Sequence, residues 1–202
     1  MFGEVLFIFG ALFPIVNPIS TAFVFNALTS RYSPQERNEL ALLACVFATG
    51  VLLAFMLLGQ VILVFFGITL YAFRVAGGLY LLHIAYGMLA GSSLRKEPED
   101  YTSHSREIAF IPLAIPLLSG PGSMAAVLVL SHGADALLFA QITLAILLVF
   151  VVAYVFLRYS YLIERFLGRL GVKALERILG LIVLVIAVQF LFNGIFDFIA
   201  IL

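Results

Sequence analysis

The chain has 202 residues, 64% hydrophobic and only 11% charged, where soluble domains carry roughly 25% charged residues. A soluble fold of this length could not bury that much apolar side chain, so the sequence reads as an integral membrane protein whose first partner is the lipid bilayer. Net charge is zero with no basic tract, which argues against a nucleic-acid partner. The single cysteine, Cys45, excludes an intrachain disulfide and a multi-cysteine metal site, and neither a metal nor a cofactor is expected.

The chain opens Met1-Phe2-Gly3-Glu4 without a basic n-region, so the first apolar run is expected to be retained rather than cleaved. Six apolar runs reach the about 20 residues that a spanning helix needs: residues 5–28, 39–66, 71–90, 108–130, 136–158 and 174–200. The predicted fold is an all-α membrane protein of six transmembrane helices in one transmembrane domain, 1–202. Repeat one is 1–90, a cytoplasmic linker follows at 91–107, and repeat two is 108–202.

The first run contains Pro14-Ile15-Val16-Asn17-Pro18-Ile19-Ser20. Each proline removes a backbone donor and clashes with the preceding turn, so an unbroken helix through both is not expected. Asn17 followed by Pro18 is a helix start, an N-cap side chain before proline at the first helical position. The span is therefore read as two half-helices. Ser33-Pro34 is a second helix-start signal, Gly67-Ile68-Thr69 a tight join, and residues 131–135 a short turn. The basic stretch 159–173 separates the last two spans. Ten of the eleven Lys and Arg residues fall in alternate loops, with only Arg74 near the other side. The positive-inside rule then makes those loops cytoplasmic and puts both termini outside.

The second half echoes the first. Gly120-Pro121-Gly122-Ser123 falls on Asn17-Pro18-Ile19-Ser20, both x-Pro-x-Ser in the first span of a half. An Arg followed by Gly also recurs at the head of the third span of each half, at Arg74 and Arg177. Three spans per half means that the second half enters from the opposite side. The expectation is two inverted three-helix repeats, the first helix of each broken at mid-membrane. Irregular backbone at that depth is tolerated only where it is buried or lines a cavity, so the two breaks are the candidate binding site.

A half-helix that starts at Pro18 or Pro121 presents free N–H groups and the positive end of its dipole. Asn17, Ser20, Thr21, Ser119 and Ser123 add small polar side chains, and Gly120 and Gly122 admit close backbone approach. Such a site suits a carboxylate. With no Lys or Arg in either break, a small zwitterion or monoanion fits better than a dianion. The competing explanation of each proline is a simple kink.

His83 is the ionisable residue deepest in an apolar span and is a candidate for proton coupling. Its alternative is a histidine bonded to a neighbouring helix. Arg74 is expected to snorkel, or else to pair with Glu4 or Asp197. Gln60, Gln141, Gln189 and Asn193 are expected to bond between helices, and Gly77, Gly78 and Gly87 to allow close packing or else to floor the cavity. Small-residue faces could support a homodimer. No Walker sequence is present, so ATP is not the direct energy source. An intramembrane hydrolase with Ser123 or Ser20 as nucleophile and His83 or His132 as base is a rival class, as is a non-transporting accessory membrane protein. Neither serine has a nucleophile-elbow context, and no ring of charge marks a channel.

Phe13-Pro14-Ile15-Val16-Asn17-Pro18, Phe73-Arg74-Val75-Ala76-Gly77-Gly78 and Ile111-Pro112-Leu113-Ala114-Ile115-Pro116-Leu117-Leu118-Ser119-Gly120-Pro121-Gly122 closely resemble the MarC family of bacterial and archaeal inner-membrane proteins, over essentially the whole chain. The family is similar to a wider group of small amino-acid exporters, and some members are described as transporters of glycine and alanine. The resemblance implies a secondary transporter of small neutral amino acids in the cytoplasmic (inner) membrane, not an enzyme. Ser20 stands where the family often has glycine, which would narrow the cavity or add a hydrogen bond.

Overall fold

A computed structural model describes residues 2–90 and 109–200. The expected linker, 91–107, lies outside the described residues. The elements in order are α1 (Phe2–Val16), α2 (Pro18–Leu28), α3 (Pro34–Phe65), α4 (Leu70–Ala90), α5 (Ala109–Leu118), α6 (Pro121–Ser131), α7 (Ala136–Arg158) and α8 (Ser160–Ile199). No strand occurs among the described residues.

Five stretches are long and apolar enough to cross a membrane: Phe2–Leu28, Pro34–Phe65, Leu70–Ala90, Ala136–Arg158 and Leu170–Ile199. The fourth expected span, 108–130, is represented by α5 and α6, and neither alone has spanning length.

Local chemistry accounts for most boundaries. α3 starts with a capping box: the Glu36 N–H donates to Ser33 Oγ at 3.3 Å, and the Ser33 N–H donates to Glu36 Oε2 at 2.8 Å. α7 is capped by Asp135, whose carboxylate accepts from the Leu138 N–H at 2.8 Å. The joins before α4 and α7 turn on Gly67 and Gly133, with φ 64° and 69°. Pro14 is accommodated inside α1, so only the second of the two N-terminal prolines ends a helix. α1 ends two residues past Pro14, at Val16.

Two elements differ from expectation. α5 is a π-helix. Pro112 and Pro116 each lack an N–H, so a regular i→i−4 ladder could not close through this segment, and wide turns take its place. The basic stretch 159–173 is not a loop: α8 begins at Ser160 and bends at Gly168, where φ is 60° and ψ 177°.

α1 buries Val5, Ile8, Leu12 and Ile15 along one face. α3 and α7 pack on each other, and both bury alanines: Ala41, Ala44 and Ala48 on α3, Ala145 and Ala153 on α7. Small side chains let backbones approach, which matters where lipid and core are equally apolar. α1 and α2 both pack on α7, and α5 and α6 both pack on α3. α2 also packs on α8, as α6 does on α4. α4 and α8 are joined by glycines: a Cβ at Gly78 would lie 3.0 Å from the Ala187 carbonyl oxygen, and one at Gly180 would lie 3.5 Å from that of Ala85. Purely apolar stripes such as Val61, Val64 and Phe65 face outward.

Candidate functional site

The first break is a single residue. Asn17 adopts φ 50°, ψ 60°, a left-handed conformation that Asn tolerates better than most side chains. Its Oδ1 accepts from the Ser20 N–H at 3.3 Å, and its carbonyl accepts from the Thr21 N–H at 3.2 Å and the Thr21 hydroxyl at 3.1 Å. Pro18 has no N–H to satisfy. In the first turn of α2 this leaves the Ile19 N–H as the open backbone donor.

The second break is built differently. Gly120 precedes Pro121 in extended conformation, φ −76° and ψ 170°, and has no side chain to cap the helix. The first bond of α6 runs from the Met124 N–H to the Gly120 carbonyl at 3.0 Å. The N–H groups of Gly122 and Ser123 are therefore both open. Ser119 donates to the Ala114 carbonyl at 2.8 Å, and Ser123 to the Gly120 carbonyl at 2.9 Å. Their hydroxyl protons are engaged, and lone pairs remain.

Ser20 alone among these hydroxyls is unsatisfied: its Oγ is buried with no partner among the described residues. Leaving a buried hydroxyl unpaired costs about 1–3 kcal/mol, so this oxygen marks a place where something polar belongs. Asn17, Ser20, Thr21, Ser119 and Ser123 are 5%, 6%, 0%, 0% and 2% exposed, so the polar side chains at both breaks are buried. Pro18 is buried too, whereas Gly120 is half-buried and Pro121 exposed. The two breaks are neighbours. A Cβ on Gly122 would sit 3.6 Å from Ile15 Cγ2, two residues before Asn17, and 2.8 Å from Leu81 Cδ2. α2 also packs against α5, which leads into Ser119.

His83 is not brought to the breaks. It lies on the exposed face of α4, away from the buried Gly77, Gly78, Leu81 and Ala85. His132 is exposed beyond the end of α6. Arg74 does not snorkel free: it pairs with Asp197, one of the two partners weighed, while its Nε is buried and unbonded. Gln189 donates to Asn193 at 2.8 Å within α8 rather than between helices, and Gln60 is exposed. Gln141 is buried. Gly77 and Gly78 do sit at close contacts, 2.9 Å from Ala125 Cβ and 2.9 Å from Leu191 Cγ for an added Cβ.

The sequence reading missed a polar cluster where α2, α3 and α8 meet. Arg37 Nη2 donates to Asn26 Oδ1 at 2.5 Å and to Ser160 Oγ at 3.0 Å. The Asn26 amide in turn bonds Glu164. Asn26, an amide inside an apolar run, was the signal for it. Among the described residues no group of three or more His, Cys, Asp or Glu could hold a metal ion.

The model of the MarC family integral membrane proteins matches residues 2–199. The chain is 40% identical over 191 residues to a UPF0056 membrane protein of Methanocaldococcus jannaschii, covering 93% of each. It is 32% identical over 200 residues to a UPF0056 membrane protein of Bacillus subtilis, covering 96% of this chain and 95% of the relative. It is also 32% identical over 203 residues to the UPF0056 inner membrane protein MarC of Escherichia coli, covering 93% and 92%. No solved structure matches it. Matched from end to end by the family model and by relatives of nearly its own length, the chain belongs to the MarC (UPF0056) family of integral membrane proteins.

Proposed function

We propose that this protein is a secondary transporter of small neutral amino acids in the cytoplasmic membrane. The substrate carboxylate is held between the starts of α2 and α6. The observation that carries this reading is the buried, unpartnered Ser20 hydroxyl in the first turn of α2, with an open N–H at Ile19 in the same turn and open N–H groups at Gly122 and Ser123 in the first turn of the neighbouring α6. Together these are donors without a resident acceptor. Donors without a formal cation favour a singly charged carboxylate with its own ammonium group, over phosphate or a dicarboxylate.

An inverted repeat is part of the proposal. Its support is that the packing partners exchange between halves: α1 and α2 against α7, α5 and α6 against α3, with Gly78 on Ala187 and Gly180 on Ala85 across the α4–α8 seam. Two half-helix starts would then approach one centre from opposite leaflets, the arrangement that alternating access requires. Arg37 and Arg158 share one end of the bundle. Taken as the cytoplasmic end, it puts the N-terminus outside. His83 has no part in this reading because its side chain faces away from the breaks.

The test is uptake by purified protein in liposomes, with labelled glycine, alanine and serine, with and without a pH gradient. Saturable flux with mutual competition is expected. Absence of flux for all three, together with labelling of Ser123 by a serine-directed probe, would replace this reading with the hydrolase.

A further inference from the structure

A second site stands apart from the breaks, at the end of the bundle where α2 and α7 finish and α3 and α8 begin. A cavity of about 530 Å³ opens there, lined chiefly by Tyr32, Arg37, Asn38, Arg158, Tyr159 and Tyr161. Two arginines line it, and no carboxylate is among its lining residues. Its volume is in the usual range for a small-molecule site. The nearby carboxylate of Glu164 is engaged by Asn26 rather than turned into the cavity.

The arginines are held but not used up. Among the described residues both hydrogen bonds of Arg37 leave from Nη2, and its guanidinium lies 5.8 Å from the centroid of the Phe25 ring. Arg158 donates from Nη1 to the Tyr154 hydroxyl at 3.1 Å, and that hydroxyl donates to Asn38 Oδ1 at 2.7 Å. The remaining N–H groups of both forks are free for an oxyanion.

The wall beyond the cavity is apolar and open. Leu162 lines the cavity, and Phe166 and Leu170 on either side of the Gly168 bend are 87% and 85% exposed. Residues 160–167 thus form a helical segment set off by that bend from the span Leu170–Ile199. It carries Tyr161, Leu162 and Phe166 beside Arg165. A charged mouth beside an apolar flank, at the end of a transmembrane bundle, is the chemistry of a phospholipid: phosphate for the arginines, acyl chain for the apolar side.

We infer that this cavity binds the headgroup of an anionic phospholipid, its phosphate between Arg37 and Arg158 and its chain along Leu162 and Phe166. The site ties the ends of α2, α3, α7 and α8 together from the lipid side. It is independent of what the breaks transport.

Native mass spectrometry of the purified full chain tests it, with phosphatidylglycerol, phosphatidylcholine or inorganic phosphate added in turn. One phosphatidylglycerol is expected to be retained preferentially. Arg158→Gln should weaken it about fivefold, the effect of one cation near a membrane surface, and Arg158→Lys should keep most of the affinity. Arg158 is exposed, so these variants should fold; Arg37→Gln also cuts the ties to Asn26 and Ser160 and is read only beside its melting temperature. Equal retention of phosphatidylcholine, or phosphatidylglycerol binding unchanged in Arg158→Gln, would overturn the inference. Inorganic phosphate bound as tightly as the lipid would overturn it in favour of a soluble phosphate site.

Discussion

Ile15 and Gly122 meet across the two helix breaks: a Cβ on Gly122 would lie 3.6 Å from Ile15 Cγ2. Ile15 is the last residue but one of α1, and Gly122 is the second residue of α6. Ser20, whose hydroxyl is buried and unpaired, follows in the first turn of α2, and the open donors of α6 lie at Gly122 and Ser123.

Ser20→Ala should separate stability from function. Removing a buried unpaired hydroxyl relieves a desolvation penalty, so the melting temperature in detergent should stay level or rise. A hydrogen bond to a charged group contributes about 1.5–3 kcal/mol, so the KM for uptake should rise at least tenfold. A fall in stability with unchanged KM would assign Ser20 to packing.

Asn17 tests the geometry of the first break. Asn17→Ala loses the cap to Ser20, about 0.5–2 kcal/mol, and puts a β-carbon in a left-handed conformation at about 1–2 kcal/mol. Asn17→Gly keeps the backbone angle free and gives up only a few tenths on the cap. Thermal unfolding should therefore rank wild type, then Gly, then Ala. Ala at or above Gly would mean that the chain is not left-handed at residue 17.

These breaks were legible because proline chemistry is local: Asn17-Pro18 and Gly120-Pro121 declare themselves whatever surrounds them. The asymmetry between them was not legible. The Asn17 side chain consumes one donor where Gly120 consumes none, which only the cap geometry reveals. The π-helical winding of α5 and the helical start of α8 also escaped, since each is a choice between closely spaced backbone alternatives that tertiary packing decides. Hydropathy located His83 in a span but not on a face. The Arg74–Asp197 pair joins residues far apart in sequence, and the reading left it as one of several options.

Gly78→Ala should push α4 and α8 apart, because the new methyl meets Leu191 Cγ at 2.9 Å and the Ala187 carbonyl oxygen at 3.0 Å. Backbone cannot swing aside as a side-chain tip can. Overpacking of this kind costs about 1–3 kcal/mol, read as a lowered melting temperature in detergent. Gly50→Ala, with nothing within 4 Å of the added atom, is the control and should be neutral or slightly stabilising.

Arg74 and Asp197 are partly exposed, their side chains 21% and 46%. A double-mutant cycle with Arg74→Gln and Asp197→Asn should give a coupling of no more than about 1 kcal/mol. A much larger value would show that the pair is shielded by something absent from the isolated chain.

His83→Gln should leave both the rate of uptake and its pH dependence unaltered, since the imidazole faces outward from α4. A flattened pH profile in this variant would restore the histidine to the transport cycle.

The central claim is that a carboxylate is the group held between α2 and α6, and competition with a substrate lacking that group tests it most directly. Labelled alanine is allowed into proteoliposomes in the presence of excess unlabelled alanine or excess alaninamide. The account predicts that alanine blocks the flux and alaninamide, which keeps the ammonium and methyl groups but offers no carboxylate, leaves it nearly intact. Equal inhibition by the two would contradict it, because the open donors at Ile19, Gly122 and Ser123 would then have no part in recognition.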